Sequence, residues 1–348
     1  MRVAEALAAA LTHRAAKVQV MDGFRATNRW LARCNEWVYE ATTRWTPWLY
    51  GASYRLTRGL PPDHLFWQVL TISSGRAVRR AVLATKPDWI LQVFPDHALA
   101  APWFSGLLAG DGTGWRPRVG VVLTDFAIHP HWFHRHVDVY FLPHENLIPA
   151  AARWQEAGSA TEVSGIPLRP QFTERHDPPV SEPYVVVMTG GRGVLPGWTE
   201  ALQVLLSELP DHAVYVLCGR NEGMRERVAH LGWPRVHAVG FVDQVAAWLQ
   251  HAALAVGKAG GVSVAEALAS GCPQVLYRPQ PGQEAENAAW VERMGVGLRA
   301  NDPSELRSAI AALRQRGLRK GMEAVCRAAG RPQAADHVAA YIVSRVNG

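Results

Sequence analysis

The sequence predicts an α/β protein of two domains, each built around a parallel sheet, and three observations carry that expectation. Short apolar runs of strand length alternate with helix-length segments through most of the chain. The run Arg118–Leu123 is continuously apolar after its first residue, the composition of a strand buried on both faces. Glycine turns follow strand-like runs at Gly190-Gly191-Arg192-Gly193 and at Gly260-Gly261. A length of 348 residues suits two domains of ~100–200 residues each.

Taken in order, the first element is an alanine-rich helix over Arg2–Arg14, then a strand over Val18–Met21 ending in Asp22-Gly23. A Trp- and Arg-rich region with helical spacing in parts runs to about Leu60. Ser73–Thr85 reads as a basic helix preceding the strand Trp89–Val93; Arg118–Leu123 and Val137–Leu142 are further strands. Gly165–Pro183 holds five prolines and few apolar residues after Phe172, so it reads as an interdomain linker. Beyond it, Tyr184–Met188, Ala213–Cys218, Val236–Val239, Leu254–Val256 and Gln274–Tyr277 continue the strand series, and Asp336–Val346 is a last helix.

The net charge of +6 and a pI near 9.3 point to an acidic partner such as a phosphorylated substrate or anionic lipid headgroups. Only four residues are lysine, so the basic balance is arginine, which favours bidentate phosphate contacts; GC-biased coding yields the same preference. The basic residues are scattered and no nucleic-acid motif appears, which argues against a nucleic-acid partner. Cys34, Cys218, Cys272 and Cys326 are far apart and form no C-x-x-C, so neither a zinc site nor a disulfide framework is expected, and a reducing cytoplasm is. No run approaches ~18 uncharged apolar residues, and Met1–Arg14 carries Glu5, so neither a membrane-spanning helix nor a signal peptide is expected.

The stretch Lys258–Ala288 concentrates the chemistry. Gly260-Gly261 opens a helix at Val262–Ala269, whose free backbone N–H groups and positive end suit a phosphate or diphosphate. Glu266, just inside that helix, has the chemistry to accept from a ribose diol; Ser263-Val264-Ala265-Glu266 equally fits a capping box. The loop Arg278–Gly282 delivers Gln283 and Asn287 to the carboxyl end of the strand Gln274–Tyr277, where open parallel sheets place ligands. Together these describe a nucleotide-sugar site. At Gly190–Gly193 a dinucleotide fingerprint fails because Pro196 occupies the third glycine's place, leaving a phosphate-facing turn or a plain tight turn.

This segment resembles the donor half of family 28 glycosyltransferases, which have the GT-B fold of two Rossmann-like domains whose parallel sheets face a cleft. Lys86-Pro87-Asp88-Trp89-Ile90, Thr124-Asp125-Phe126-Ala127-Ile128-His129-Pro130-His131-Trp132, Gly165-Ile166-Pro167-Leu168-Arg169-Pro170-Gln171-Phe172 and the strand Val137-Asp138-Val139-Tyr140-Phe141 are similar to the diacylglycerol glycosyltransferase and monogalactosyldiacylglycerol synthase-like branch. The resemblance covers nearly the whole chain. It implies an acceptor- and membrane-binding domain over 1–166, a linker over 167–183, a nucleotide-sugar domain over 184–332, and a helix over 333–348 packing back on the first domain.

It further implies an inverting, metal-independent hexosyltransferase moving glucose or galactose from a UDP donor to diacylglycerol, with no cofactor. The enzyme would sit on an anionic membrane surface at the cytoplasmic face. Another nucleotide-sugar transferase, an epimerase of the same fold, or an inactive nucleotide-binding homologue are the alternatives. By resemblance, backbone groups near Phe241 and Val242 hold the uracil and Glu266 takes the ribose hydroxyls. Gln283 and Asn287 hold the sugar, and Arg169, Lys258, Gly190, Gly191, Gly193, Gly260 and Gly261 surround the diphosphate. Arg169 also reads as a surface residue on a linker, and Lys258 as a solvated strand-end residue.

Asp125 and His129, after the strand Arg118–Leu123, are the base candidates, since an unperturbed histidine titrates near neutrality; the same pair also reads as a helix cap and a loop-shaping residue. Trp30, Trp37, Trp45, Trp48 and Trp67 lie among six arginines over residues 25–67, a composition suited to a headgroup layer or to an ordinary core. Family members begin with a strand and a glycine-rich loop ending in Gly-His before a helix like Val3–Leu7, so an upstream strand and loop are expected ahead of Met1.

Overall fold

The computed structural model describes residues 2–23, 47–61, 64–95, 99, 115–190 and 195–346. The chain divides into two units: Met1–Pro167 with Ala334–Gly348, and Leu168–Gln333.

In unit 1, α1 (Arg2–His13) buries Val3, Ala6, Leu7, Ala10 and Leu11, the i, i+3, i+4, i+7, i+8 stripe of an amphipathic helix. The strand expected at Val18–Met21 is not there: residues 16–22 carry no regular structure, and Val18 and Val20 are exposed, so their alternation has no core to face. The helices α2 (Pro47–Thr57) and α3 (Leu65–Thr85) follow. α3 starts eight residues before the expected Ser73 (73 − 65), capped by His64, whose Nδ1 accepts from the Phe66 N–H. A histidine cap is outside the usual Ser, Thr, Asp and Asn set, which hid the start.

The strands β1 (Trp89–Gln92), β2 (Arg118–Val122), β3 (Val139–Leu142) and β4 (Ala160–Val163), with α4 (Ile148–Ala151) between the last two, form a parallel sheet in the order β1-β2-β3-β4. β3 and the last four residues of β2 are buried, as their apolar runs require. β4 was not foreseen; Ala-Thr-Glu-Val is half-buried throughout and carries no apolar run.

Unit 2 alternates β5 (Tyr184–Met188), α5 (Trp198–Glu208), β6 (Ala213–Leu217), α6 (Glu222–Ala229), β7 (Val236–Val239), α7 (Val245–His251), β8 (Ala255–Gly257), α8 (Gly261–Ser270), β9 (Gln274–Tyr277), α9 (Gln283–Arg293) and β10 (Gly297–Ala300), then α10 (Pro303–Arg314) and α11 (Arg316–Ala329). Its six strands lie parallel in the order β10-β9-β8-β5-β6-β7. β5 therefore leads out to one side, toward β6, and β8 to the other, toward β9. The proline-rich stretch is laced to unit 2. Gln171 bridges the Asp243 carbonyl (2.7 Å) and the Ala246 N–H (3.0 Å), while Gln250 and His251 bond the backbone at Glu174 and His176.

The last helix, α12 (Ala334–Val346), belongs to unit 1 and packs on α1 through Ala334, Ala335, Val338, Ala339 and Ile342. Tyr341 adds ring contacts to Trp89 and Phe141, at 6.5 and 5.2 Å between centroids.

Candidate functional site

In an open parallel sheet the crevice lies at the carboxyl ends of adjacent strands whose connections diverge, here β5 and β8. Gly190, just past β5, has φ +80°, and a Cβ on it would stand 3.9 Å from the Lys258 side chain just past β8. Two residues singled out far apart in the sequence are thus neighbours. Gly191 and Gly193 lie outside the described residues.

α8 starts at the same edge. Gly260 is its N-cap, among the described residues no side chain caps its first turn, and a Cβ on Gly260 would meet open space. Gly261 is the first helical residue and is buried. The uncapped N–H groups and the positive end of α8 thus form an anion cradle beside Lys258.

Glu266 is 1 % exposed and lies within α8, not at its start, so the capping box is not formed: the cap is Gly260 and Ser263 is inside the helix. A buried carboxylate needs a countercharge, and Arg169 supplies it, with Nη2 at 3.7 Å from Glu266 Oε1. Arg169 Nη1 also donates to the Asp243 carbonyl at 3.3 Å. It is therefore no solvated linker arginine; its guanidinium is engaged by the loop after β7 and by α8. Phe241 in that loop is 48 % exposed, and the Arg220 guanidinium stacks over its ring at 4.7 Å. Val242 beside it is half-buried.

Gln283 is the first residue of α9 and is partly exposed. Its N-cap Gly282 has φ +98°, ψ −131°, a conformation that only glycine adopts readily. Asn287 is fully buried, and its Nδ2 donates to the Ala259 carbonyl at 2.9 Å. In this geometry the Asn287 amide nitrogen braces the Lys258–Gly260 loop.

In unit 1, Asp125 and His129 are both buried on the loop after β2. His129 Nδ1 accepts from the His131 N–H at 3.2 Å, which leaves the ring proton on Nε2, 3.4 Å from the Tyr54 carbonyl and from Thr57 Oγ1 on α2. Burial holds its pKa down at about 4; the Tyr54 carbonyl opposes this and the Arg58 charge adds to it. The expectation of a near-neutral histidine is corrected accordingly. His131 stacks on Trp67 at 4.3 Å, and burial followed by the His129 charge likewise lowers its pKa to about 4. Trp67 is itself buried, with its indole N–H on the Pro61 carbonyl (3.0 Å), so it is a core residue. Trp48, by contrast, is 67 % exposed and shares the outer side of α2 with Leu49 and Leu56. Trp30, Trp37 and Trp45 lie outside the described residues.

Sequence reasoning missed Arg220, Gln171, Tyr54 and Thr57. The last two stand one helical turn apart on α2 and carried no motif of their own.

Comparison with known proteins agrees with this architecture. Residues 1–168 match the family described as "Monogalactosyldiacylglycerol (MGDG) synthase", and residues 185–316 match "Glycosyl transferases group 1". The chain is 30 % identical over 274 residues to a processive diacylglycerol beta-glucosyltransferase of Bacillus cereus (strain AH820), covering 75 % of this chain and 69 % of that protein. A protein of the same description from Bacillus thuringiensis (strain Al Hakam) is 30 % identical over 268 residues, 73 % of this chain and 67 % of its own. Among solved structures, the calicheamicin glycosyltransferase CalG4 aligns over 82 % of this chain and 83 % of its own, with TM-score 0.55 and 18 % identity. A UDP-N-acetylglucosamine 2-epimerase from Listeria monocytogenes, described as putative, aligns over 78 % of each chain, with TM-score 0.58 and 17 % identity. At these identities the two structures share the fold alone.

Proposed function

From the premise that this chain belongs to the diacylglycerol glycosyltransferase and monogalactosyldiacylglycerol synthase-like branch of the GT-B glycosyltransferases, we propose that it transfers a hexose from UDP-glucose or UDP-galactose to diacylglycerol, with inversion and without a metal ion. The observation that carries this reading is the meeting of Gly190, Lys258 and the uncapped start of α8 at the strand switch point. That arrangement offers a preorganised positive field for the diphosphate. Such a field stabilises the departing UDP as the anomeric C–O bond breaks and its electron pair leaves with the phosphate oxygen.

The acceptor hydroxyl attacks the anomeric carbon and gives its proton to a base. Asp125 and His129 are the candidates in unit 1. His129 has its lone pair on Nδ1, so a base role for it requires release of the His131 N–H. For the donor, the exposed Phe241 ring with Arg220 stacked on it supports an aromatic-base site. Glu266 supports ribose recognition, through exchange of the Arg169 contact for the diol hydroxyls. The position of Gln283 at the start of α9 supports a contact to the sugar, and Asn287 acts through the loop it holds.

The acceptor is a lipid, and the outer side of α2 supports peripheral attachment to the cytoplasmic leaflet. Trp48, Leu49 and Leu56 are exposed there, with Arg55 and Arg58 beside them for anionic headgroups. Among the described residues no helix is long and apolar enough to cross a membrane. The test is to incubate the protein with diacylglycerol-containing vesicles and each UDP-hexose. A glycolipid formed from one donor and lost in Glu266→Ala supports the reading. UDP binding without product from either donor overturns it.

A further inference from the structure

The donor reading uses the carboxyl edge of the six-stranded sheet; the amino edge holds a second polar centre. A part-open cavity of about 370 Å³ lies there, lined by Tyr184 at the start of β5, His212 before β6, His251 at the end of α7, and Arg319, Glu323 and Arg327 on α11. Tyr184 and Gly190 are separated by β5, roughly 20 Å at the rise of an extended strand. The cavity is therefore not part of the donor crevice.

Helical spacing places Arg316, Arg319, Lys320, Glu323 and Arg327 on one side of α11, a side with four cations and one carboxylate. Glu323 lies between two of them, 3.7 Å from Arg319 Nε and 3.6 Å from Arg327 Nη2. Both distances are too long for hydrogen bonds. Arg319 Nε and His212 Nδ1 are buried atoms that make no hydrogen bond among the described residues. Arg235, close by, shows what a structural arginine does in this fold. It spends its guanidinium on the carbonyls of Leu206, Leu209 and His212 at 2.7–2.9 Å. Among the described residues, Arg319 and Arg327 have no comparable bonds. A buried donor left unmade at a cavity in a native protein calls for a partner; the Arg319 guanidinium, with the more exposed Arg327 beside it, matches the oxygens of a phosphate.

We propose that this cavity is a phosphate-binding site distinct from the nucleotide-sugar site, taking the phosphate group of a soluble ester or of an anionic lipid headgroup. Opposite the chemistry-bearing edge of the sheet, it serves attachment or regulation and not turnover.

The test uses the full chain saturated with UDP, so that the donor crevice is filled. Inorganic phosphate and glycerol 3-phosphate are titrated by calorimetry, and phosphatidylcholine vesicles with and without phosphatidylglycerol are tested by flotation. Each is repeated with Arg319→Gln/Arg327→Gln and with Arg307→Gln, which removes an exposed arginine paired with Glu208 on another helix. The expected result is saturable binding in the presence of UDP, weakened about tenfold or more in the double variant and unchanged in Arg307→Gln. Binding of the soluble anions identifies an ester, and binding of phosphatidylglycerol vesicles alone identifies a headgroup. Should the double variant fail to fold, the His212 ring signals of the wild-type protein supply the answer by moving on phosphate addition while those of His129 stay. Loss of phosphate binding under UDP, equal affinity in all three proteins, or an unmoved His212 would overturn the assignment.

Discussion

Asn287 donates its side-chain amide to the Ala259 carbonyl at 2.9 Å, and so ties the first half of α9 to the loop that launches α8. The bond is fully buried, with both residues 0 % exposed. Asn287→Leu keeps the branching of the side chain but removes the amide and leaves that carbonyl unmet, at a cost of about 1–3 kcal/mol. The expected outcome is a lower urea midpoint at unchanged slope, together with weaker UDP binding. A variant of wild-type stability that had lost only sugar discrimination would assign Asn287 to the ligand instead.

Glu266 and Arg169 form a buried pair that is also the expected ribose contact. Glu266→Ala should lose both UDP affinity and stability, the latter by about 2 kcal/mol, because the Arg169 charge is left without its partner. Arg169→Ala/Glu266→Ala should recover part of the stability and none of the affinity. Thermal unfolding and calorimetry on the four proteins of the cycle separate the two effects. Additive stability losses would show that the pair is not coupled.

His129 and His131 give the fold a defined response to acid. Both pKa values are lowered from 6.5 to about 4, so the unfolded chain takes up protons that the folded chain refuses. Their contribution is present in full above pH 6.5 and is lost as pH falls toward 4, about 2–3 kcal/mol for each ring. Urea unfolding at pH 5 and 7.5 should show a steeper loss in the wild type than in His131→Phe. The acid limb of the transfer rate, where His129 sets it, should lie near 4 and not near 6.5. A pH-independent difference between the two proteins would remove the histidines from the account.

The outer side of α2 should be separable from the fold. Leu49 and Leu56 are exposed, so Leu49→Glu/Leu56→Glu ought to leave the melting temperature within a degree or two while lowering vesicle affinity by about tenfold or more. Flotation at low and high salt measures this. Unaltered binding would move the docking surface elsewhere.

Much of unit 2 was legible because β5, β6, β8 and β9 are buried on both faces and read as largely apolar runs; Tyr184–Met188 and Gln274–Tyr277 match residue for residue. The glycine start of α8 was legible for a related reason, since glycines after strands mark tight turns into a helix. Unit 1 was harder to read. β4 has no apolar run, α3 has a histidine cap, and Val18–Met21 has strand composition without a core to face. At the site, residue types showed and their partners did not. Nothing local to Asn287 points to Ala259, and nothing local to His129 indicates how far burial lowers its pKa. Both are tertiary effects, set by what the chain brings alongside.

The pairing of α1 with α12 bears on the order of events at the ribosome. Unit 2 is contiguous, but unit 1 is interrupted by it, and the apolar stripe of Val3, Leu7 and Leu11 meets its helical partner only after residue 334 has emerged. At ~5–20 residues per second that delay is on the order of tens of seconds. For that interval a sticky helix trails from the nascent chain while the later-made unit is free to fold. The stripe of α1 is thus among the last surfaces of unit 1 to meet its helical partner, and the window for chaperone capture or misassociation is written into the connectivity.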